Sequence, residues 1–171
     1  AGIKIEFIEK ILGKNTKIIR VMPNLNCVIG EMAAAYSCNK NVTGKEKGII
    51  KNLLNKAGLA LEIEEQNMDA VTALSGSGPA FVAFIIKAFA SAGEQQGLSK
   101  ETSYKLALQT FFGTSKLLKE TNEKPEELIA RVSSPGGTTI AGLNVLEKSE
   151  IKAIISKTIE SAAKRSKELG K

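Results

Sequence analysis

The sequence predicts a mainly α-helical protein whose first third mixes helices and strands. From Asn67 onward, apolar residues recur at helical spacing in consecutive segments with short breaks between them. Before that point, two short strand-like runs, Ile18 to Met22 and Leu59 to Ile63, lie on either side of a helical segment. We therefore expect an α/β part over residues 1–66 and an all-helical part over residues 67–171.

Composition narrows the possible functions. The 171 residues include no His, two Cys and 43% hydrophobic residues, which excludes a disordered tail and a disulfide scaffold. Without His there is no His-dependent triad or His–metal site, and Cys27 and Cys38 match no metal or redox spacing. We expect no metal site and a reduced, cytoplasmic setting. The most apolar stretch, Pro79 to Ala92, is too short for a membrane span and carries Lys87, so no membrane segment is expected.

The net charge of +6 raises the question of nucleic-acid binding. The lysines are scattered along the whole chain, and no run interleaves aromatic and basic residues as a stacking platform requires. The charge pattern therefore favours a solvated, lysine-rich surface over a nucleic-acid interface.

The α/β part is expected to begin with a helix from Ile3 to Leu12, ended by Gly13, and a buried strand over Ile18 to Met22. A strand over Glu31 to Cys38 follows, although this segment is ambiguous because its three alanines favour helix. The next elements are a helix with the capping box Thr43 and Glu46, closed by Gly58, and a strand over Leu59 to Ile63. Strand, helix and strand in this order predict a parallel sheet. About three strands are few for a covered sheet, so this part is expected to be the end of a larger α/β domain.

The helical part is expected to contain helices that start at Pro79, after the N-cap Ser99, at Pro125 and at Thr138, and a last helix over Ser149 to Leu169. The first of them, over Phe81 to Ala92, is apolar around much of its circumference. We expect it to be deeply buried, between subunits.

Two glycine-rich segments are candidate sites. Leu74 to Pro79 is not a dinucleotide-binding fingerprint, because Phe81 stands where the third glycine belongs, and we interpret it as a tight break between two helices. Ser133 to Thr139 leads into a helix start, where unpaired N–H groups, glycines and hydroxyls suit a small carboxylate. An ordinary Ser/Thr N-cap after a turn explains this second segment equally well, and both interpretations stay open.

Three segments together resemble the pyrroline-5-carboxylate reductase family. They are Arg20-Val21-Met22-Pro23-Asn24, Asp69-Ala70-Val71-Thr72-Ala73-Leu74-Ser75-Gly76-Ser77-Gly78-Pro79-Ala80-Phe81, and Pro125-Glu126-Glu127-Leu128 followed by Val132-Ser133-Ser134-Pro135-Gly136-Gly137-Thr138-Thr139-Ile140-Ala141-Gly142-Leu143. They occur in the family's order and span nearly the whole chain. The departures are Leu25 and Asn26, where the family usually has Thr-Pro.

The resemblance implies reduction of the cyclic imine 1-pyrroline-5-carboxylate to L-proline by NADPH or NADH. It also implies an N-terminal Rossmann domain, a helical domain through which homodimers form, and larger rings of dimers. Transferred by position, Thr139 shares a hydrogen bond with the ring nitrogen, and the substrate-binding residues are Glu65, Ser134, Gly136, Gly137, Thr138 and Thr139. The cofactor-binding positions are Ala1, Gly2 and Arg131.

The glycine-rich phosphate loop of a Rossmann domain does not occur in the sequence. We therefore expect the main dinucleotide site to lie outside these 171 residues, which alone are expected to be inactive. The alternative is a helical dimerisation module without catalytic activity.

Overall fold

The computed structural model describes residues 1–170. The strands are β1 (Ile19–Met22), β2 (Met32–Cys38) and β3 (Gly58–Glu62), and the helices are α1 (Ile5–Leu12), α2 (Gly44–Asn55), α3 (Met68–Val71), α4 (Gly78–Gln95), α5 (Lys100–Thr121), α6 (Pro125–Val132), α7 (Thr138–Lys148) and α8 (Ile151–Leu169). Short 3₁₀ turns cover Leu25–Ile29 and Glu65–Asn67. The mainly helical fold with a small sheet confirms the predicted fold class.

The three strands form one mixed sheet in the order β1-β2-β3. β2 and β3 run parallel, with Met32 opposite Gly58, as predicted for two strands joined by a helix. β1 is antiparallel to β2, with Ile19 opposite Cys38. It is half-buried rather than buried, because only one of its sides has a neighbouring strand among the described residues.

The ambiguous segment Glu31 to Cys38 is a strand for most of its length, which confirms the prediction. β2 is the central strand, and Met32, Ala34 and Tyr36 form the buried core of the sheet with Ala60 of β3. Small side chains suit this position, because α2 packs over the same face. Tertiary packing has overridden the helix propensity of the alanines.

The predicted capping box at the start of α2 is present. The Thr43 hydroxyl accepts the Glu46 N–H, and the Glu46 carboxylate accepts the Thr43 N–H at 2.9 Å. Gly58 does not close this helix, contrary to the prediction, since α2 ends at Asn55. Instead Gly58 begins β3 with a φ of +143°, a conformation that favours glycine.

The segment over Leu74 to Pro79 is not a break between two helices, which corrects that prediction. The chain forms a single turn of π-helix over Thr72–Gly76, so that one helical run continues from residue 65 to residue 95. Such π turns insert one residue into a helix without ending it. A Cβ at Gly76 would lie 2.5 Å from the Met22 Cε, so a larger residue there would require the end of the Met22 side chain to shift.

The same helical run is longer than the stretch Pro79 to Ala92, which the sequence indicates is too short to cross a membrane, and the absence of a membrane segment stays a prediction. The run has 31 residues, and an 18-residue window in it reaches a mean hydropathy of 1.5. By length and composition it meets the criterion for a membrane span, which core helices of soluble proteins also meet. The run therefore carries a large apolar surface, most of which the single chain leaves exposed.

The expected helices of the second part are all present. Ser99 caps α5 by accepting the Thr102 N–H at 3.1 Å, and Pro125 is the first residue of α6. Within this single chain α4 is not deeply buried, since Phe84 is 74% and Phe89 53% exposed. Burial of its apolar face requires a partner.

The described residues divide into two compact units. One contains residues 1–80 and 155–170, and the other contains residues 81–154. The domain boundary predicted between residues 66 and 67 stays a prediction.

Candidate functional site

Residues 133–139, which we call the α7 loop, connect α6 to α7 through a tight turn. The Gly137 N–H donates to the Ser134 carbonyl oxygen at 2.9 Å. Pro135 followed by Gly136 with a φ of +69° is the sequence pattern of a type II turn. This turn directs the chain into the first turn of α7.

The N-terminus of α7 is open. Its N-cap is Gly137, and no side chain among the described residues caps the helix. A Cβ on Gly137 would lie 2.5 Å from the Ser134 Oγ and 3.0 Å from the Ser134 carbonyl oxygen, so a larger residue would require the Ser134 hydroxyl to move. The structure therefore favours the exposed helix start over the ordinary Ser/Thr N-cap. The uncapped N–H groups and the positive end of the helix dipole suit a small anion.

Hydroxyl groups surround this helix start. Thr139 is half-buried in the first turn of α7, whereas Ser134 and Thr138 are exposed. The hydroxyl oxygen of Ser133 is buried, and it has no hydrogen-bond partner within residues 1–170. The loop thus offers neutral hydrogen-bond donors without a charged side chain of its own.

Arg131 lies in the last turn of α6, just before the α7 loop. Its Nε and Nη2 donate to the two carboxylate oxygens of Glu123, at 3.1 Å and 2.7 Å. This bidentate pair fixes the direction of the guanidinium group. The predicted role of Arg131 at the edge of the cofactor stays a prediction.

In the other unit, Glu65 and Gly2 line one cavity of about 340 Å³, which we call the Glu65 cavity. Its further lining residues are Lys4, Arg20, Gln66, Asp69 and Lys167. Gly2 is buried, with a φ of +80°, and its backbone lies against that of Gly170. A Cβ at Gly2 would lie 2.5 Å from the Gly170 nitrogen, so the close approach requires glycine. Ala1 is exposed.

Within this cavity the Glu65 carboxylate is held by two donors. Its Oε1 accepts the backbone N–H of Ile5 at 2.6 Å and the Nη1 of Arg20 at 3.1 Å. The Arg20 side chain is 11% exposed and that of Glu65 is 30% exposed. The pair therefore joins β1, the start of α1 and the 3₁₀ turn after β3.

Two of the three recognised segments pack together in this unit. The Asn24 amide, which is buried, donates to the Ser75 carbonyl oxygen and accepts the Ala33 N–H, both at 3.1 Å. Met22 lies against Gly76. Asn24 thus joins the end of β1 to β2 and to the π turn, a structural role that sequence reasoning did not assign.

The structure brings the predicted site residues together in two groups. Gly2 and Glu65 share the cavity, while Ser134, Gly136, Gly137, Thr138 and Thr139 share the α7 loop, with Arg131 just before it. Sequence reasoning missed Arg20 as the partner of Glu65. It also missed Asp69, whose carboxylate accepts the hydroxyl of the buried Ser166 at 2.6 Å. Arg20 and Asp69 lie in two of the segments that resemble the family, and that resemblance was the available signal for them.

The described residues do not fit the pyrophosphate of a dinucleotide. The connection from β2 to α2, residues 39–43, contains no glycine, and the Thr43 side chain already caps α2. Within residues 1–170, no group of three His, Cys, Asp or Glu side chains is placed to hold a metal ion. Desolvation raises the pKa of the Cys38 thiol, which disfavours its thiolate.

Comparison with known proteins assigns most of the chain to one family. The family model described as pyrroline-5-carboxylate reductase dimerisation matches residues 65–169. The chain is 47% identical over 169 residues to the pyrroline-5-carboxylate reductase of Aquifex aeolicus, which covers 99% of this chain and 64% of that relative. It thus spans about 64% of the length of the curated relatives that it matches.

Two solved structures share the fold. A pyrroline-5-carboxylate reductase from Coxiella burnetii superposes with a TM-score of 0.97 at 35% identity, covering 100% of this chain and 64% of that chain. The Plasmodium falciparum pyrroline carboxylate reductase with NADP bound gives a TM-score of 0.89 at 38% identity, covering 99% and 68%.

Proposed function

Because the chain belongs to the pyrroline-5-carboxylate reductase family, we propose that it contributes the substrate-binding and dimerisation part of an enzyme that reduces 1-pyrroline-5-carboxylate to L-proline. The observation that carries the proposal is the uncapped start of α7, directly behind the turn at Gly136. A helix start without a side-chain cap is suited to the one fixed charge of the substrate, its carboxylate.

In the proposed complex, the N–H groups of Gly137, Thr138 and Thr139 hold the substrate carboxylate, with Ser134 beside them. The exposed hydroxyl of Ser134 and the glycines of the turn support this arrangement, because they leave the backbone accessible. Neutral donors suit a single carboxylate, whereas a polyphosphate would also recruit Lys or Arg.

Thr139 is proposed as the catalytic residue. Its hydroxyl shares a hydrogen bond with the ring nitrogen and so orients the imine. A protonated imine is already electrophilic, so that placing its carbon and excluding water are the main tasks of the protein. No histidine is needed for this chemistry, which agrees with a chain that has none.

The hydride of the reaction comes from a reduced nicotinamide, NADPH or NADH, whose pyrophosphate the described residues do not fit. Ala1, Gly2 and Arg131 are proposed to lie at the nicotinamide end of the cofactor, and Glu65 at the substrate. The close, glycine-dependent approach of Gly2 to Gly170 and the cavity that Gly2 shares with Glu65 support these assignments.

The proposed assembly is a homodimer formed through the helical part, with larger rings of dimers built from it. The match of residues 65–169 to a dimerisation model supports the dimer, as does the exposed apolar face of α4 with Phe84 and Phe89. We propose that the enzyme is cytoplasmic, in line with its two free cysteines, and cell fractionation tests this.

The test of the proposed function is an imine-dependent oxidation assay on the whole gene product. Reduced dinucleotide is followed by its absorbance, with and without 1-pyrroline-5-carboxylate, and NADPH and NADH are compared. We expect oxidation only when the imine is present. A dimer that oxidises neither dinucleotide would instead support the dimerisation module without activity.

A further inference from the structure

We propose that Arg20 is a positioning residue, which holds the Glu65 carboxylate against the N-terminus of α1 and thereby fixes residues 1–4, which lead into that helix. This inference rests on the proposed function, since it is that function which places Ala1 and Gly2 beside the nicotinamide. It adds a role for a side chain that neither the sequence pattern nor the family match assigns.

The first step is the contact between Glu65 and α1. The N-cap of α1 is Lys4, whose side chain makes no capping hydrogen bond, so the first N–H groups need another acceptor. The Glu65 Oε1 accepts the Ile5 N–H at 2.6 Å, across 60 residues of sequence. A carboxylate at a helix N-terminus also interacts favourably with the helix dipole. Glu65 thus acts as a capping residue supplied from a distant segment.

The second step is the contact between Arg20 and the same oxygen. The Arg20 Nη1 lies 3.1 Å from the Glu65 Oε1, and the arginine side chain is 11% exposed. Because the pair is partly buried, removing one partner leaves the other charge poorly compensated. Without Arg20, Glu65 is expected to turn towards solvent and to release the Ile5 N–H.

The third step connects the pair to residues 1–4. Arg20, Glu65, Gly2 and Lys4 line the same cavity, and Gly2 is buried there in a conformation that favours glycine. Because residues 1–4 lead directly into α1, holding the start of this helix limits their movement. Since Oε1 accepts both bonds, the second oxygen of Glu65 is left for a ligand in the cavity.

Three variants of the whole gene product test the role of Arg20 independently of catalysis. In Arg20→Ala and in Glu65→Ala, hydrogen exchange of the Ile5 amide, measured by NMR, should accelerate about tenfold or more because its acceptor is lost or released. Arg20→Lys should keep the exchange rate within about threefold of wild type, since the contact uses a single donor of the arginine. An unchanged rate in Arg20→Ala, or a rate in Arg20→Lys as fast as in Glu65→Ala, would overturn the proposal.

A double-mutant cycle tests whether the effect reaches the reaction through Glu65. In the otherwise wild-type protein, Arg20→Ala should lower kcat/KM for the dinucleotide about tenfold. In the Glu65→Ala background the same substitution should lower kcat/KM less than about twofold, because the residue that it positions is already absent. Equal losses in both backgrounds would overturn the proposal.

The matched control is Arg165→Ala, which breaks an exposed pair with Glu168 of the same 3.1 Å length and should leave kcat/KM unchanged. If the wild-type protein oxidises no dinucleotide, the proposed function fails. The hydrogen-exchange rate of the Ile5 amide still tests the positioning role of Arg20 in that case.

Discussion

Thr139 combines two properties at the scale of single residues. It stands in the first turn of α7, behind a glycine N-cap that leaves the amide N–H groups accessible, and its side chain is half-buried. A hydroxyl in such a place is restrained by the helix rather than by a flexible loop. Its effect on a bound imine should therefore be measurable by a single substitution.

We predict that Thr139→Ala lowers kcat about 10–100-fold, as for one lost oriented hydrogen bond of about 1.5–3 kcal/mol. Steady-state oxidation of the reduced dinucleotide measures the effect. The control is Thr110→Ala, which removes a helical threonine hydroxyl of α5 that donates only to the Leu106 carbonyl oxygen. Turnover in Thr139→Ala equal to that of the control would contradict the assigned role.

The sequence predicts single site residues only where they are neighbours along the chain. The α7 loop was recognised because glycines, hydroxyls and a helix start follow one another from Ser133 to Thr139. Arg20 and Glu65 are separated by 45 residues, and their contact exists only after the sheet has formed. Pattern reasoning has no access to such a pair, and it was the family resemblance that singled out the segment of Arg20 and the position of Glu65.

At the scale of elements, the sequence predicts that Gly58 ends α2, whereas in the structure Gly58 begins β3. We predict that Gly58→Ala destabilises the fold by about 2–5 kcal/mol, because φ is strained for alanine and the added Cβ would lie 2.2 Å from the Met32 nitrogen. The matched control is Gly48→Ala inside α2, where the Cβ meets nothing within 4 Å. That variant should be stabilised by about 0.5–1 kcal/mol. Urea unfolding measures both, and similar effects of the two substitutions would refute the explanation.

The capping box of α2 gives a prediction about pH. Hydrogen bonds from Lys17 and from Thr43 lower the pKa of Glu46 from 4.5 to about 2. A lowered pKa in the folded state stabilises the fold above the unfolded value, and this stabilisation is lost as the pH falls from about 4.5 towards about 2. We therefore predict that Glu46→Gln is less stable than wild type at neutral pH and that the difference shrinks over this range.

Thermal unfolding as a function of pH measures this difference. The control is Glu160→Gln, at an exposed position of α8. Its difference in stability from wild type should change less with pH. A constant difference between wild type and Glu46→Gln from neutral pH to the acid end would show that the charge of Glu46 does not stabilise α2.

The elements themselves were largely predictable, and the exceptions have physical causes. Capping residues such as Thr43, Ser99 and Pro125 mark helix starts, because they satisfy or remove backbone N–H groups locally. The π turn at Thr72–Gly76 was missed, since glycines near a proline also suit a break. In the structure these residues instead form a turn of π-helix, and the helical run continues to Gln95.

At the scale of the whole molecule, we propose that the exposed apolar face of α4 forms the dimer interface. We predict that Phe84→Glu raises the dimer dissociation constant at least about 100-fold, because a charge would be buried in place of an aromatic ring. Sedimentation equilibrium measures the constant. The control Gln95→Glu adds the same charge at an exposed position at the end of the same helix. A dimer equally weakened by both substitutions would exclude α4 as the interface.

The proposed reaction draws on residues from both ends of the described chain. The described residues provide an uncapped helix start, a half-buried threonine and a buried Gly2 packed against Gly170, but no pyrophosphate site. We infer that these residues serve a hydride transfer to a cyclic imine. The label carried by the product tests this inference without reference to any single residue.

The most direct measurement uses the whole gene product with 1-pyrroline-5-carboxylate and a reduced dinucleotide that carries deuterium at the transferred position. We predict proline that contains one deuterium, formed in proportion to the dinucleotide oxidised. Oxidation of the dinucleotide without labelled proline, or no turnover with either NADPH or NADH, would contradict it.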